Sequence, residues 1–354
     1  MTDIPDINLF STDAPQRMGP LARLPALMVE LGARIEPALD GTGIARAAFD
    51  DPEHRISYRE GSHVLARCAE LAACPHLGLL LGARGDHRDL GVPGLWMANA
   101  ATLGAALSGY VTMQAANSRG ATVYLHRSGE HFVFGYGIYE PLAIAQAQIY
   151  PLAVAMMVNV GQVLTGNAAP PVEVLLPIRE PDNASLYRTL LCGTVRFNQL
   201  EAGVVLRRAA LEAPILQSVP GVQERLRAQI ASQLSPADWT WTEQVRRAIR
   251  PLILSGSPTT ADMAEIFGVT ARTLARRLAQ EGTTFQALLD RVRDSMAREL
   301  LVVTDLSAGE IADALCYAQQ SSFTAAFRRW SGVTPSEWRH IMQKRRQAAA
   351  PGLA

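Results

Sequence analysis

Lysine is almost missing from this chain: Lys344 stands alone among 33 basic residues, and arginine supplies the rest. That skew reflects the base composition of a genome more than any particular chemistry. Cysteine is scarce as well. Cys68, Cys74, Cys192 and Cys316 form no CxxC pair and show no metal-ligand spacing, so neither a metal nor another cofactor is expected. Scattered thiols with no secretory leader fit a protein of the reducing cytosol. Catalytic signatures are lacking: there is no GxSxG, P-loop, GxGxxG or HExxH, and His54, His63, His76, His87, His126 and His131 have no carboxylate partners at ligand spacing. An enzyme is therefore not expected. Net charge is also absent, with 33 basic against 33 acidic residues. A hydrophobic share of 48% with 19% charged residues argues against disorder.

The neutral total hides an asymmetry. Residues 242–354 carry 15 Lys and Arg against 11 Asp and Glu, and residues 1–241 carry the compensating acidic excess. A basic end and an acidic one are expected where one end meets phosphate. Two stretches have no charge at all, Leu90–Ser118 and Pro141–Thr165. Length alone would let either cross a membrane. Their many Gln, Asn, Gly and Pro residues predict buried core helices instead, and no membrane partner is expected.

Two helix-turn-helix patterns follow one another about fifty residues apart. In the first, residues 260–281, Ala261–Phe267 supplies a supporting helix, Gly268 a left-handed turn and Thr270 a cap for the next helix. Leu274 and Leu278 fall on its buried face. Arg272 and Arg276 share another face beside the small Ala275, an arrangement suited to bidentate pairing with guanine. In the second, residues 307–330, Ile311, Ala312, Leu315, Phe323 and Phe327 form the apolar side. Gln319, Gln320, Ser321, Ser322 and Thr324 cluster on the exposed face, where amides and hydroxyls suit adenine edges and phosphates. Arg328 and Arg329 add positive charge. Phe285–Thr304 predicts a joining helix of about 30 Å, close to the ~34 Å of one DNA turn.

Residues 242 to 340 resemble the DNA-binding domain of the AraC/XylS family of bacterial transcription regulators. The resemblance is carried by Thr273-Leu-Ala-Arg-Arg-Leu278, Glu281-Gly-Thr-Thr-Phe285, Ile311-Ala-Asp-Ala-Leu315, Ser322-Phe323, Phe327-Arg-Arg-Trp330 and Gly332-Val-Thr-Pro335. It implies base-facing positions for Arg272, Ala275 and Arg276, and for Gln320, Ser321, Ser322 and Thr324. The chain departs from the family at Cys316, where glycine is usual, and at Ala325, where arginine is frequent. Arg328 and Arg329 are then limited to positioning on the DNA backbone.

The expected fold is an α+β domain with a mostly antiparallel sheet, followed by an all-α domain of two helix-turn-helix units joined by a long helix. The boundaries read as a mobile tail over 1–20, an effector-binding and dimerisation domain over 21–216, a linker over 217–241, the DNA-binding domain over 242–340 and a tail over 341–354. Ser57-Tyr-Arg-Glu60 predicts a capping box, residues 121–136 a hairpin around Ser128-Gly129-Glu130, and Leu142–Leu164 a long apolar helix. Val172–Pro177, Tyr187, Val195-Arg-Phe197 and Leu211–Ile215 resemble the arabinose-binding-domain type of effector domain found in a subset of the family. Trp96, Met97, Tyr110, Met113, Phe132, Phe134, Tyr136, Met156 and Met157 are the apolar and aromatic candidates for a pocket, expected between the hairpin and the long helix. Among them Trp96, Tyr110, Phe132, Phe134, Tyr136 and Met156 are the candidate effector-binding residues. Expected partners are double-stranded DNA, a small organic effector, a second copy of the chain and RNA polymerase. An enzyme fused to a DNA-binding tail, and a regulator whose first domain only dimerises, stay open as alternatives.

Overall fold

The computed structural model describes residues 14–139, 145–219, 221–233 and 239–348, which fall into two compact units dividing between residues 233 and 239. The N-terminal unit opens on a small antiparallel ribbon of β1 (Pro15–Arg17) and β2 (Arg55–Ser57). Residues 14–20 of the tail expected over 1–20 thus belong to the folded unit, and residues 1–13 lie outside the described ones. Arg17 is the reason. It is 2% exposed, and its guanidinium donates to the Asp89 carbonyl at 3.0 Å, Asn117 Oδ1 at 3.3 Å and Glu53 at 2.9 Å. Partners so distant in sequence leave no periodic signal in a three-residue strand.

The main helices of this unit are α1 (Tyr58–Leu71), α2 (Leu77–Gly82), α3 (Val92–Ala98), α4 (Leu103–Met113), α5 (Gln146–Thr165) and α6 (Val222–Gln233). Ser57 caps α1 by accepting the Glu60 N–H at 3.3 Å. The hairpin forms as β3 (Ala121–Ser128) and β4 (His131–Ile138). With β5 (Glu173–Leu175), β6 (Thr194–Arg196) and β7 (Ala202–Arg207), the strand order is β3-β4-β7-β5-β6. β5 and β6 pair parallel and the other neighbours antiparallel. The long apolar helix begins at Gln146, while residues 142–144 lie outside the described ones. Its length and composition would suit a membrane span, yet Tyr150, Val154 and Ala155 are at most 2% exposed within the core. The expected linker over 217–241 contains α6.

One contact fixes where α5 lies. Gly78 and Gly82 occupy successive turns of α2, and a Cβ on either would stand 2.1 Å from a backbone oxygen of α5, that of Gln148 or of Leu152. The two backbones touch because α2 has no side chains there. The Gln148 side chain reinforces the contact, accepting from Gly78 N–H at 2.8 Å and donating to the Pro75 carbonyl at 2.9 Å. Gly161, on the same α5, faces open space. Gly82→Ala should therefore destabilise the chain by about 1–3 kcal/mol through overpacking. Gly161→Ala should stabilise it by about 0.5–1 kcal/mol through helix propensity. Urea unfolding of both variants checks the pair; equal effects of one sign would remove the backbone contact as the cause.

The C-terminal unit is all helical: α7 (Trp241–Ser255), α8 (Thr260–Ile266), α9 (Ala271–Gln280), α10 (Phe285–Val303), α11 (Ala308–Ala314), α12 (Gln320–Ser331) and α13 (Pro335–Ala348). At 19 residues α10 is roughly 28 Å long. It buries Leu288, Val292, Met296, Ala297 and Leu300, and Glu299 meets Arg250 of α7 at 3.0 Å with both side chains under a tenth exposed. The expected tail over 341–354 is helical as far as Ala348, since no residue before Pro351 breaks α13.

Candidate nucleic-acid interface and effector cavity

In the first helix-turn-helix, α8 opens on a capping box between Thr259 and Asp262, and Gly268 turns the chain at φ +61°. Thr270 then accepts the Thr273 N–H at 3.2 Å to start α9. Leu274 and Leu278 are fully buried, which leaves Arg272, Ala275 and Arg276 together on the exposed face. Arg277, one position on, points elsewhere. Its guanidinium stacks 4.3 Å from the Trp241 ring and pins α9 to α7. Glu281 adds a second tie by accepting the first N–H groups of α7, Trp241 at 2.8 Å and Thr242 at 2.7 Å. Burial raises its carboxyl pKa, but these hydrogen bonds lower it by more, so it lies below the ordinary glutamate value.

The second unit repeats the plan with other chemistry. Ser307 and Glu310 form the capping box of α11. Phe323 and Phe327 of α12 are fully buried in a run of rings from Tyr317 to Trp338, spaced 5.7, 5.9 and 6.0 Å. Gln320, Ser321, Ser322, Arg328 and Arg329 are exposed and Thr324 is half-buried. Gln320, Ser321, Thr324, Ala325, Arg328 and Arg329 line one open hollow together with Thr334. Ser322 lies outside it. Arg329 also meets Asp290 of α10 at 3.2 Å, which offsets part of its charge.

Cys316 adopts φ +59°, the left-handed conformation that Gly268 supplies in the first unit. The turn demands that geometry whichever residue sits there, at a cost of about 1 kcal/mol for a side chain with a Cβ. The thiol recovers some of it by donating to the Ile253 carbonyl at 3.4 Å. Cys316→Gly should raise the unfolding midpoint, with a net gain below about 1 kcal/mol. A lower midpoint in thermal melts would mean that the Sγ contact outweighs the strain.

The N-terminal unit holds a partly open cavity of about 100 Å³. β3 and β4 contribute Val123, Phe134 and Tyr136, and α5 contributes Ile149, Leu152, Ala153, Met156, Met157 and Val160. α1 closes another side with Tyr58, Gly61, Ser62 and Leu65. Of the six candidate effector residues, Tyr110, Phe134, Tyr136 and Met156 line it; Trp96 and Phe132 do not. Phe132 shares the face of Phe134 but sits half-buried at the hairpin end. Trp96 packs over Gly109, where a Cβ would meet its ring at 1.9 Å, and joins Leu226 of α6 in covering Val92 and Met113. Its neighbour Met97 is the α3 residue that reaches the cavity. Sequence reasoning missed the polar wall of Gln16, Tyr58, Gln114, Asn117 and Ser118, which comes from three separate segments with no common spacing. Burial pushes the phenols of Tyr110 and Tyr136 well above the usual tyrosine range, so both stay neutral.

Comparison with known proteins follows the same division of the chain. A family model described as the arabinose-binding domain of AraC transcription regulators, N-terminal, matches residues 32–215, and a helix-turn-helix domain model matches residues 263–341. The chain is similar to the HTH-type transcriptional regulator VirS of Mycobacterium tuberculosis, 28% identical over 315 residues that cover 88% of this chain and 93% of VirS. It is 25% identical to the ornithine utilization regulator of Pseudomonas aeruginosa over 318 residues, covering 88% and 93% of the two chains. Among solved structures, the transcriptional regulator CdpR of Pseudomonas aeruginosa matches with 27% identity and a TM-score of 0.38, covering 75% of this chain and 87% of that one.

Proposed function

This chain belongs to the AraC family, DNA-binding transcription regulators with an effector-binding N-terminal domain, and we propose how its residues divide that work. The reading rests on one observation. Each helix-turn-helix buries its apolar face and leaves exposed, on its second helix, polar side chains whose hydrogen-bonding groups suit base edges. Arg272 and Arg276, beside Ala275, contact guanine edges for the first unit. Gln320, Ser321, Ser322 and Thr324 contact bases for the second, and Arg328 and Arg329 hold phosphate. The cavity of the N-terminal unit takes the effector. No catalytic step is assigned to either unit, in keeping with relatives described as regulators. The protein acts in the cytoplasm, where operator DNA and RNA polymerase are its partners.

Arg276→Ala should weaken specific binding by about 1–3 kcal/mol and relax preference at one base pair. Arg329→Ala should weaken all sequences alike, and Ala325→Arg should steepen the dependence on log salt by about one unit. Selection from random sites, repeated at two salt concentrations, separates these outcomes. A uniform loss for Arg276→Ala would move that residue from a base to the backbone.

The reading includes a homodimer formed through the N-terminal unit, because two chains on one operator gain affinity through effective concentration. Sedimentation of the full chain at micromolar concentration should give a dimer; a monomer would take dimerisation out of the account.

A further inference from the structure

The cavity wall carries polarity of one kind. No Asp, Glu, Lys, Arg or His lines it, and the α5 side is entirely apolar from Ile149 to Val160. On the opposite side a chain of hydrogen bonds runs inward. Arg17 Nη1 donates to Asn117 Oδ1 at 3.3 Å, and Asn117 Nδ2 donates to Tyr110 Oη at 3.4 Å. Every bond in that chain points the same way, so the Tyr110 hydroxyl ends it as a donor polarised by a buried cation. Ser118, 2% exposed and also in the wall, has a buried Oγ with no hydrogen-bond partner. A buried hydroxyl left unpaired costs free energy that a ligand can recover.

The polar groups around these two hydroxyls are otherwise engaged. Gln16 Nε2 donates to the Arg17 carbonyl, Gln114 Nε2 to the Ser118 carbonyl and Ser62 Oγ to the Arg59 carbonyl. Arg17, the cation behind Asn117, is bound to Glu53 and to the Asp89 carbonyl, so its charge does not await a ligand carboxylate. A carboxylate in this wall would be desolvated without a counter-ion.

We propose that the cavity binds an uncharged molecule with one carbonyl-type acceptor, of the ketone, ester or lactone class, on a short apolar body. This rests on the reading of the cavity as the effector site. The acceptor takes hydrogen bonds from Tyr110 and Ser118, and the body lies along Leu152, Met156 and Val160. The cavity volume of about 100 Å³ suits a small molecule.

The test uses the full chain with 2-heptanone, heptanoate and toluene as probes, in thermal shift and calorimetry at neutral pH. 2-Heptanone should raise the melting temperature and bind, and heptanoate should not. Tyr110→Phe and Ser118→Ala should each weaken the ketone about tenfold and leave toluene unchanged. Ala153→Phe, which fills the cavity, should abolish binding of both. Heptanoate binding as well as the ketone overturns the proposal, as does ketone affinity unmoved by both hydroxyl deletions. Failure of the ketone to bind also overturns it. In that case a metabolite extract that stabilises the parent chain but not Ala153→Phe would leave the effector site standing with another ligand class; an extract that stabilises neither would remove the site itself.

Discussion

The backbone contact between α2 and α5 governs the N-terminal unit. Gly78 and Gly82 bring two helices closer than any side chain would allow, and Gln148 bonds to α2 at the same point. The glycines remove the repulsion that would keep the helices apart, and burial with the Gln148 hydrogen bonds supplies the attraction. It fixes the height of Leu152 and Met156 over the sheet, and hence the width of the cavity they share with Phe134 and Val123. Pro151 stands in the same turn, where the missing N–H leaves one helical bond unmade. The tightly held end of α5 is therefore also its least regular part.

In the C-terminal unit the corresponding role falls to α10. Its apolar side packs on α7, on α13 and on both helices of the second helix-turn-helix unit, the first unit packing on α7 in turn. Glu299 holds Arg250 of α7 in a buried pair. Such a pair adds little net stability against an apolar alternative, yet breaking it is costly, so it constrains which way α7 packs. The two reading faces attached to this support differ. One presents two arginines around an alanine, and the other presents amides and hydroxyls with arginine only towards the end of its helix.

What could be read from the sequence follows the range of the physical signal. The helix-turn-helix units rest on local rules: a 3.6-residue apolar period, caps at Thr259, Thr270 and Ser307, and a left-handed turn at Gly268. All of these act within a few residues, and even the departure at Cys316 was visible because only its turn position mattered. Within the cavity, Phe134 and Tyr136 follow from strand alternation, and Tyr110 and Met156 from charge-free helices. Trp96 and Met97 differ by 100° of helix rotation, too little for an apolar segment with two buried sides to resolve. Arg17, Asn117 and Ser118 come together only in the folded chain, because each owes its place to a partner far away in sequence. Glu281 was marked by the family motif, but its bonds to Trp241 and Thr242 needed the packing of α7 on α9.

The rotation between Trp96 and Met97 also divides α3 between two tasks. Met97 faces the cavity, while Trp96 joins Leu226 of α6 in covering Val92 and Met113, and Gln223 of α6 donates to the Trp96 carbonyl at 3.3 Å. One short helix is thus shared by the cavity and by the last described helix before the DNA-reading unit in the chain. Thermodynamic reciprocity follows from that sharing: if filling the cavity changes the docking free energy of α6, undocking α6 changes the affinity of the cavity by the same factor. Occupancy of the cavity would then differ between chains with α6 docked on α3 and chains with it undocked.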